Sequence, residues 1–153
     1  MKVVDFLRPD LVIPSLAGGS KSDVLAEMSR HLAANQSGID PEVLRRVLEE
    51  RELLASTAIG DGIAIPHGKL PGVNSIIGVF GRHTRGVDFD SLDGGPTYLF
   101  FLLVAPEDSA SLHLKALARV SRLMKDPAFR ERLTNAPDAA EIFRLIKEED
   151  ARH

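Results

Sequence analysis

Tyr98-Leu99-Phe100-Phe101-Leu102-Leu103-Val104 is apolar along its whole length, and Pro106 stops it. A run that short, with no polar alternation, predicts a central β-strand covered on both faces. Its neighbours read as strands too. Ile63-Ala64-Ile65 is a short one that ends at Pro66, Ser75 to Phe80 is a second, and Val87-Asp88-Phe89 a brief third. Helices must supply the two covers. Ser20 caps the first, with Asp23 three residues on, and Val24, Leu25, Met28 and Leu32 form its apolar face before Gly38 stops it. Asp40-Pro41 opens the second, whose inner stripe is Val43, Leu44, Val47 and Leu48, with Arg45, Arg46, Glu49, Glu50 and Glu52 outward. Three more close the chain: one from about Ser111 to Lys125, a short one capped by Asp126-Pro127, and a last one from near Pro137 that buries Ile142, Phe143 and Ile146. Helices before, between and after strands predict an α/β fold, a single-domain α/β/α sandwich over residues 1–153 with a central mixed sheet.

Composition narrows the functions available. A chain of 153 residues with 44% apolar and 27% charged side chains has the balance of an ordinary globular domain. Its net charge of −3 argues against a nucleic-acid binder, which needs a basic face to neutralise phosphates. The absence of cysteine excludes disulfides, thiolate catalysis and Cys-ligated zinc within this chain. No apolar run approaches a membrane span, and the acid at Asp5 breaks any secretory signal, so a cytoplasmic location is expected. Gly18-Gly19-Ser20-Lys21-Ser22 lacks the spacing of a phosphate-binding P-loop and reads as a turn plus a helix cap. The histidines lack metal-ligand spacing, so neither a metal nor any other cofactor is expected. His31 is expected on a helix flank, His83 in a loop and His153 in the tail, all without a role.

Three other residues point inward. His67 follows Pro66 and precedes Gly68, a rigid mount with open space beside it. His113 lies near the start of its helix, on the face that continues through Leu117, Val120 and Met124. The positive end of that helix favours anions and a neutral imidazole. Arg51 falls seven residues after Leu44 and four after Val47, on the apolar stripe, where an arginine needs an anionic partner or a route to solvent. Each alone has a plain structural reading: a turn histidine, a core histidine bonded to a carbonyl, an arginine that snorkels past Leu48. Together, and beside the Ser56-Thr57 turn, they describe an anion site containing a nucleophile. Phosphate is the natural anion, because an imidazole nitrogen can carry a phosphoryl group covalently and its transfer needs mainly positioning and charge neutralisation.

The stretch Ser56-Thr57-Ala58-Ile59-Gly60-Asp61-Gly62-Ile63-Ala64-Ile65-Pro66-His67-Gly68-Lys69 closely resembles the active-site signature of the fructose/mannitol-type enzyme IIA domains of the bacterial phosphoenolpyruvate-dependent phosphotransferase system. Phe89 to Pro96, Leu102-Leu103-Val104-Ala105-Pro106 and His113-Leu114 with Leu117-Ala118 match in order. Arg51-Glu52 before Ser56-Thr57, and the ending Ile65 to Lys69, are similar to the nitrogen-regulatory branch, IIA-Ntr. The resemblance implies a phosphotransferase component, expected to stand alone, in which His67 is phosphorylated by a phosphocarrier of the HPr or NPr type. It implies that His113 and Arg51 steady the phosphohistidine and that Ser56 and Thr57 bind phosphate. It also implies targets such as potassium-transport regulators or sensor kinases, regulated according to phosphorylation state. The alternative is a sugar-specific IIA that passes phosphate to a separate IIB. The joint presence of Arg51, His67 and His113 argues against a third reading, a module that only binds partners. Asp61 stands where the signature often has asparagine and is expected to face solvent in the turn. Ile59, Ile63 and Leu70 are expected as an apolar docking rim around His67.

Overall fold

The computed structural model describes residues 1–153. After two short 3-10 turns the chain runs β1 (Val12–Ile13), α1 (Lys21–Asn35), α2 (Pro41–Leu54), β2 (Ala58–Gly60), β3 (Ile63–Ala64), β4 (His67–Leu70), β5 (Ile77–Val87) and β6 (Thr97–Pro106). Helices α3 (Ala110–Met124), α4 (Pro127–Asn135) and α5 (Ala139–Ala151) follow. The sheet order is β1-β5-β6-β3-β2, with β4 also paired to β6. β6 runs antiparallel to β5 and parallel to β3 and β4, so the sheet is mixed. Every residue of β6 except Tyr98 is buried, as its unbroken apolar run requires.

The helix starts follow their caps. Ser20 accepts the Asp23 N–H, Asp40 those of Glu42 and Val43, and Asp126 those of Ala128 and Phe129. The last helix begins at Ala139, two residues after Pro137, because the Asp138 carboxylate accepts the Glu141 N–H and sets the cap there. Its Ile142 and Ile146 are buried, whereas Phe143 is only partly so.

Helices cover both faces of the sheet. In β4 successive side chains alternate. A Cβ on Gly68 would lie 2.6 Å from Val47 Cγ1, so this residue backs onto α2. His67 points the other way and meets His113 of α3, their ring centroids 5.4 Å apart. Forty buried apolar residues form one connected core through these layers.

Two strands differ from expectation. The sequence predicts separate strands at Ser75 to Phe80 and Val87-Asp88-Phe89, but β5 is continuous from Ile77 to Val87, Asp88 and Phe89 fall outside it, and His83 lies in a strand rather than a loop. A register shift against β6 between Arg82 and Val87 absorbs the polar Thr84-Arg85, which stay exposed. The short strand before Pro66 does not stop there either. It breaks at Ile65-Pro66 and resumes as β4, with His67 opposite Leu103. Proline has no N–H for the ladder, yet its carbonyl accepts the Leu103 N–H at 2.9 Å, so the interruption keeps its place beside β6.

Candidate active site

The segment from the end of α2 to β4 builds the site. Gly60-Asp61-Gly62 turns β2 into β3 with φ values of +102°, +57° and +77°. Glycine takes such angles freely and aspartate tolerates them, which is why an acid serves here in place of asparagine. Asp61 is exposed, and its N–H donates to Asp93 Oδ2 at 3.1 Å. Asp93 also accepts from the Ser91 hydroxyl and the Gly95 N–H, and these bonds hold its carboxyl below the usual carboxylate range. The 89–96 loop is thereby pinned against the turn.

His67 is half-buried at the start of β4. Its Nδ1 lies 2.8 Å from the Ile65 carbonyl oxygen. A carbonyl only accepts, so Nδ1 carries the proton, and in the neutral ring the lone pair sits on Nε2. Burial pushes the His67 pKa below its ordinary value. The Ile65 bond opposes that shift, the Arg51 charge adds to it, and the Glu52 charge opposes it. His113, 6% exposed in the first turns of α3, stands edge-on to His67 at 85°. Burial, then the neighbouring His67 and Lys69, push its pKa down to about 4, so it is neutral at pH 7. Its Nε2 is buried without a hydrogen-bond partner, a costly arrangement that reserves a polar contact for a group entering the site. Arg51 is partly buried in the last turn of α2 and donates from Nη1 to the Ala55 carbonyl at 2.8 Å. That bond folds the guanidinium back over the helix end, where its charge reaches His67.

Ser56 and Thr57 are committed inward. The Ser56 hydroxyl donates to the Phe89 carbonyl at 2.6 Å and accepts the Ala58 N–H. The Thr57 hydroxyl donates to Glu52. Neither has a hydroxyl proton left for a phosphate, so in this structure both build the turn. Glu52, expected on the outer face of α2, is 7% exposed, accepts from the Thr57 N–H at 3.0 Å and forms an ion pair with the Lys21 ammonium at 3.0 Å. The helix ends just beyond it, and the returning chain covers it. Sequence periodicity carries no sign of that return; its one cue is the donor pair of Thr57, five residues later. The docking rim also needs correction. Ile63 and Leu70 are 2% and 3% exposed and belong to the core. Only Ile59 is exposed, and the other open apolar side chains near these elements are Leu53, Leu54, Leu92, Leu112 and Leu114. His31 lies on the flank of α1 and meets the Asp10 carbonyl, and His153 in the tail meets Glu149. No group of three or more acidic, His or Cys side chains is arranged to hold a metal.

A half-buried histidine with one ring nitrogen unclaimed, beside a second, unpartnered imidazole on a mixed α/β sheet, suits a phosphoryl carrier, and comparison with known proteins specifies the class. Residues 5–149 match the family of the phosphoenolpyruvate-dependent sugar phosphotransferase system, EIIA 2, and the chain belongs to that family, whose members are phosphotransferase components that carry phosphohistidine. The chain is 42% identical to the nitrogen regulatory protein of Bradyrhizobium diazoefficiens over 95% of both chains. It is 34% identical to the fructose-specific EIIABC component of Bacillus subtilis over 98% of its own length and 24% of that protein's. The crystal structure of the nitrogen regulatory protein IIA-Ntr from Neisseria meningitidis superposes with a TM-score of 0.88 at 30% identity, covering 94% of this chain and 98% of that one. No helix is long and apolar enough to cross a membrane.

Proposed function

We propose that this chain is a nitrogen-regulatory IIA that accepts a phosphoryl group on His67 Nε2 from an HPr- or NPr-type phosphocarrier. In the transfer, the Nε2 lone pair forms an N–P bond as the N–P bond to the carrier's histidine breaks, and that carrier imidazole keeps the electron pair. The proton stays on Nδ1, donated to the Ile65 carbonyl, throughout. Neutral His113 has one N–H to give to a phosphoryl oxygen, and Arg51 offsets the incoming negative charge. Ser56 and Thr57 act through the turn they build. The observation that carries this reading is the committed Nδ1–H of His67, which leaves Nε2 as the nucleophile beside the unpartnered His113.

The output is a change of charge. Phosphorylation adds about −1.5 to −2 at pH 7 among exposed apolar side chains. A partner docking on the unmodified site is repelled by that charge, and one presenting Arg or Lys is favoured. Potassium-transport regulators and sensor kinases are the proposed targets, read through this phosphorylation state in the cytoplasm. Similarity to the fructose-specific component supports a second reading, in which the group passes to a separate IIB cysteine for sugar uptake. Incubation with phosphoenolpyruvate, enzyme I and the phosphocarrier, followed by mass mapping, tests the carrier role: label on His67 is expected, and label elsewhere or none overturns it. Chasing that label with IIB distinguishes the destinations.

A further inference from the structure

Glu52 is a buried ionised side chain that the proposed transfer does not use. Removing a carboxylate from water is costly unless several donors meet it. Here the Thr57 N–H and the Thr57 hydroxyl both donate to it, and the Lys21 ammonium pairs with its charge. Lys21 in turn lies 4.8 Å over the Phe89 ring, whose residue also accepts the Ser56 hydroxyl. The far side of Thr57 leads to the site. Its carbonyl accepts the Ile65 N–H at 3.0 Å, and the Ile65 carbonyl accepts the Nδ1 proton of His67 at 2.8 Å. A continuous ladder of contacts therefore runs from α1 and α2, through Glu52, Thr57 and Ile65, to the imidazole.

We infer that Glu52 is a positioning residue: by gripping both the N–H and the hydroxyl of Thr57 it fixes the Thr57–Ile65 rung, and so the carbonyl that selects the His67 tautomer. The inference rests on His67 being the phosphoryl acceptor. Ile65 precedes a proline and so cannot lean on a following N–H in the ladder. Two bonds flank its carbonyl, the Ile65 N–H to Thr57 and the Leu103 N–H to Pro66, and only the first is held by Glu52. When the rung loosens, the His67 proton is free to exchange to Nε2, and the nucleophile is lost in that fraction of molecules.

The test compares Glu52→Gln, Thr57→Val and Thr57→Ser with the unaltered protein in two measurements. One is 15N NMR of the His67 ring nitrogens in the unphosphorylated protein across pH. The other is the rate of phosphohistidine formation from phosphorylated HPr. Unaltered protein is expected to hold the Nδ1–H tautomer. Glu52→Gln and Thr57→Val are expected to raise the Nε2–H fraction and slow labelling about tenfold, the scale of a modest misplacement of a reacting group. Thr57→Ser, which restores the hydroxyl, is expected to recover both. Unmoved His83 ring signals certify the fold in each variant, and the two Thr57 variants carry the test alone should Glu52→Gln fail to fold. An unchanged His67 tautomer with an unchanged rate in Thr57→Val overturns the positioning role and leaves the carrier reading standing. A tautomer shift in a protein that never labels at His67 upholds the positioning role and overturns the carrier reading.

Discussion

His67 and His83 are both strand histidines held by backbone groups, yet only one is equipped for chemistry. On β5, His83 is 8% exposed, its Nε2 2.8 Å from the Gly18 carbonyl and its Nδ1 accepting the Gly86 N–H at 3.0 Å. Both nitrogens are spent, and the ring staples the β5 irregularity to the loop before α1. On β4, His67 has one nitrogen tied to Ile65 and the other free, beside a second imidazole that is short of a partner. Burial is therefore a poor guide to reactivity here. What separates the two rings is whether the fold leaves a lone pair unclaimed.

Removing each ring in turn is expected to have the largest effects. His67→Ala is expected to abolish acid-labile phosphorylation while thermal unfolding stays near that of the unaltered protein, because the ring sits half-open at a strand start. His83→Ala is expected to label normally but to lose about 1–3 kcal/mol in denaturant unfolding, the cost of orphaning the Gly18 and Gly86 groups. Normal label on His67→Ala ends the comparison. Next in size are Arg51→Ala and His113→Ala. Each removes one charge or donor contact and is expected to slow transfer or shorten the phosphohistidine lifetime by an amount equivalent to about 1–3 kcal/mol. Stopped-flow transfer and decay of the isolated phosphoprotein measure the two effects.

Acid titration separates the site from the rest of the chain. His113 has a folded pKa of about 4 against an ordinary 6.5, so the unfolded state binds the proton first. Its contribution to stability is complete above pH 6.5 and is lost as pH falls from 6.5 towards 4. That loss is on the order of 3 kcal/mol. His67, also depressed, adds in the same direction. His113→Gln is expected to flatten urea-unfolding stability between pH 6.5 and 4. The depressed carboxylates Asp10, Asp93 and Glu141 lose their contributions further down, below the ordinary carboxylate range. The smallest effect is expected at Asp61. Asp61→Asn keeps a side chain that tolerates positive φ, so stability should hold within about 0.5 kcal/mol and the transfer rate within about twofold. A large rate increase would place its carboxylate inside the phosphoryl site.

Much of this was legible in the residues. The unbroken apolar run of β6, the Ser20, Asp40 and Asp126 caps and the inward stripes of α1 and α2 each follow from one local rule, and the structure obeys them. The His67, His113 and Arg51 cluster was legible because each breaks a local rule in the same direction. What was not legible depends on chain return. Glu52 sits at the outward phase of its helix but is covered when residues 55–57 fold back over it. His83 looked like a loop residue because its polar neighbours lie where β5 slips register, which only the partner strand reveals. The hydroxyls of Ser56 and Thr57 looked available because the Phe89 carbonyl and Glu52, which claim them, are defined by tertiary contact.

The near-contact of Gly68 with Val47 has a consequence for timing. A β-branched side chain pressed against bare backbone leaves no slack between α2 and the strand that bears His67. Arg51, on the same helix, and His67, on the neighbouring residue of the strand, are thus set before any donor arrives. The orientational entropy of the acceptor half of the reaction is spent during folding rather than at collision. The speed of transfer then belongs to the encounter between two proteins and to the donor's approach, not to a rearrangement of this one.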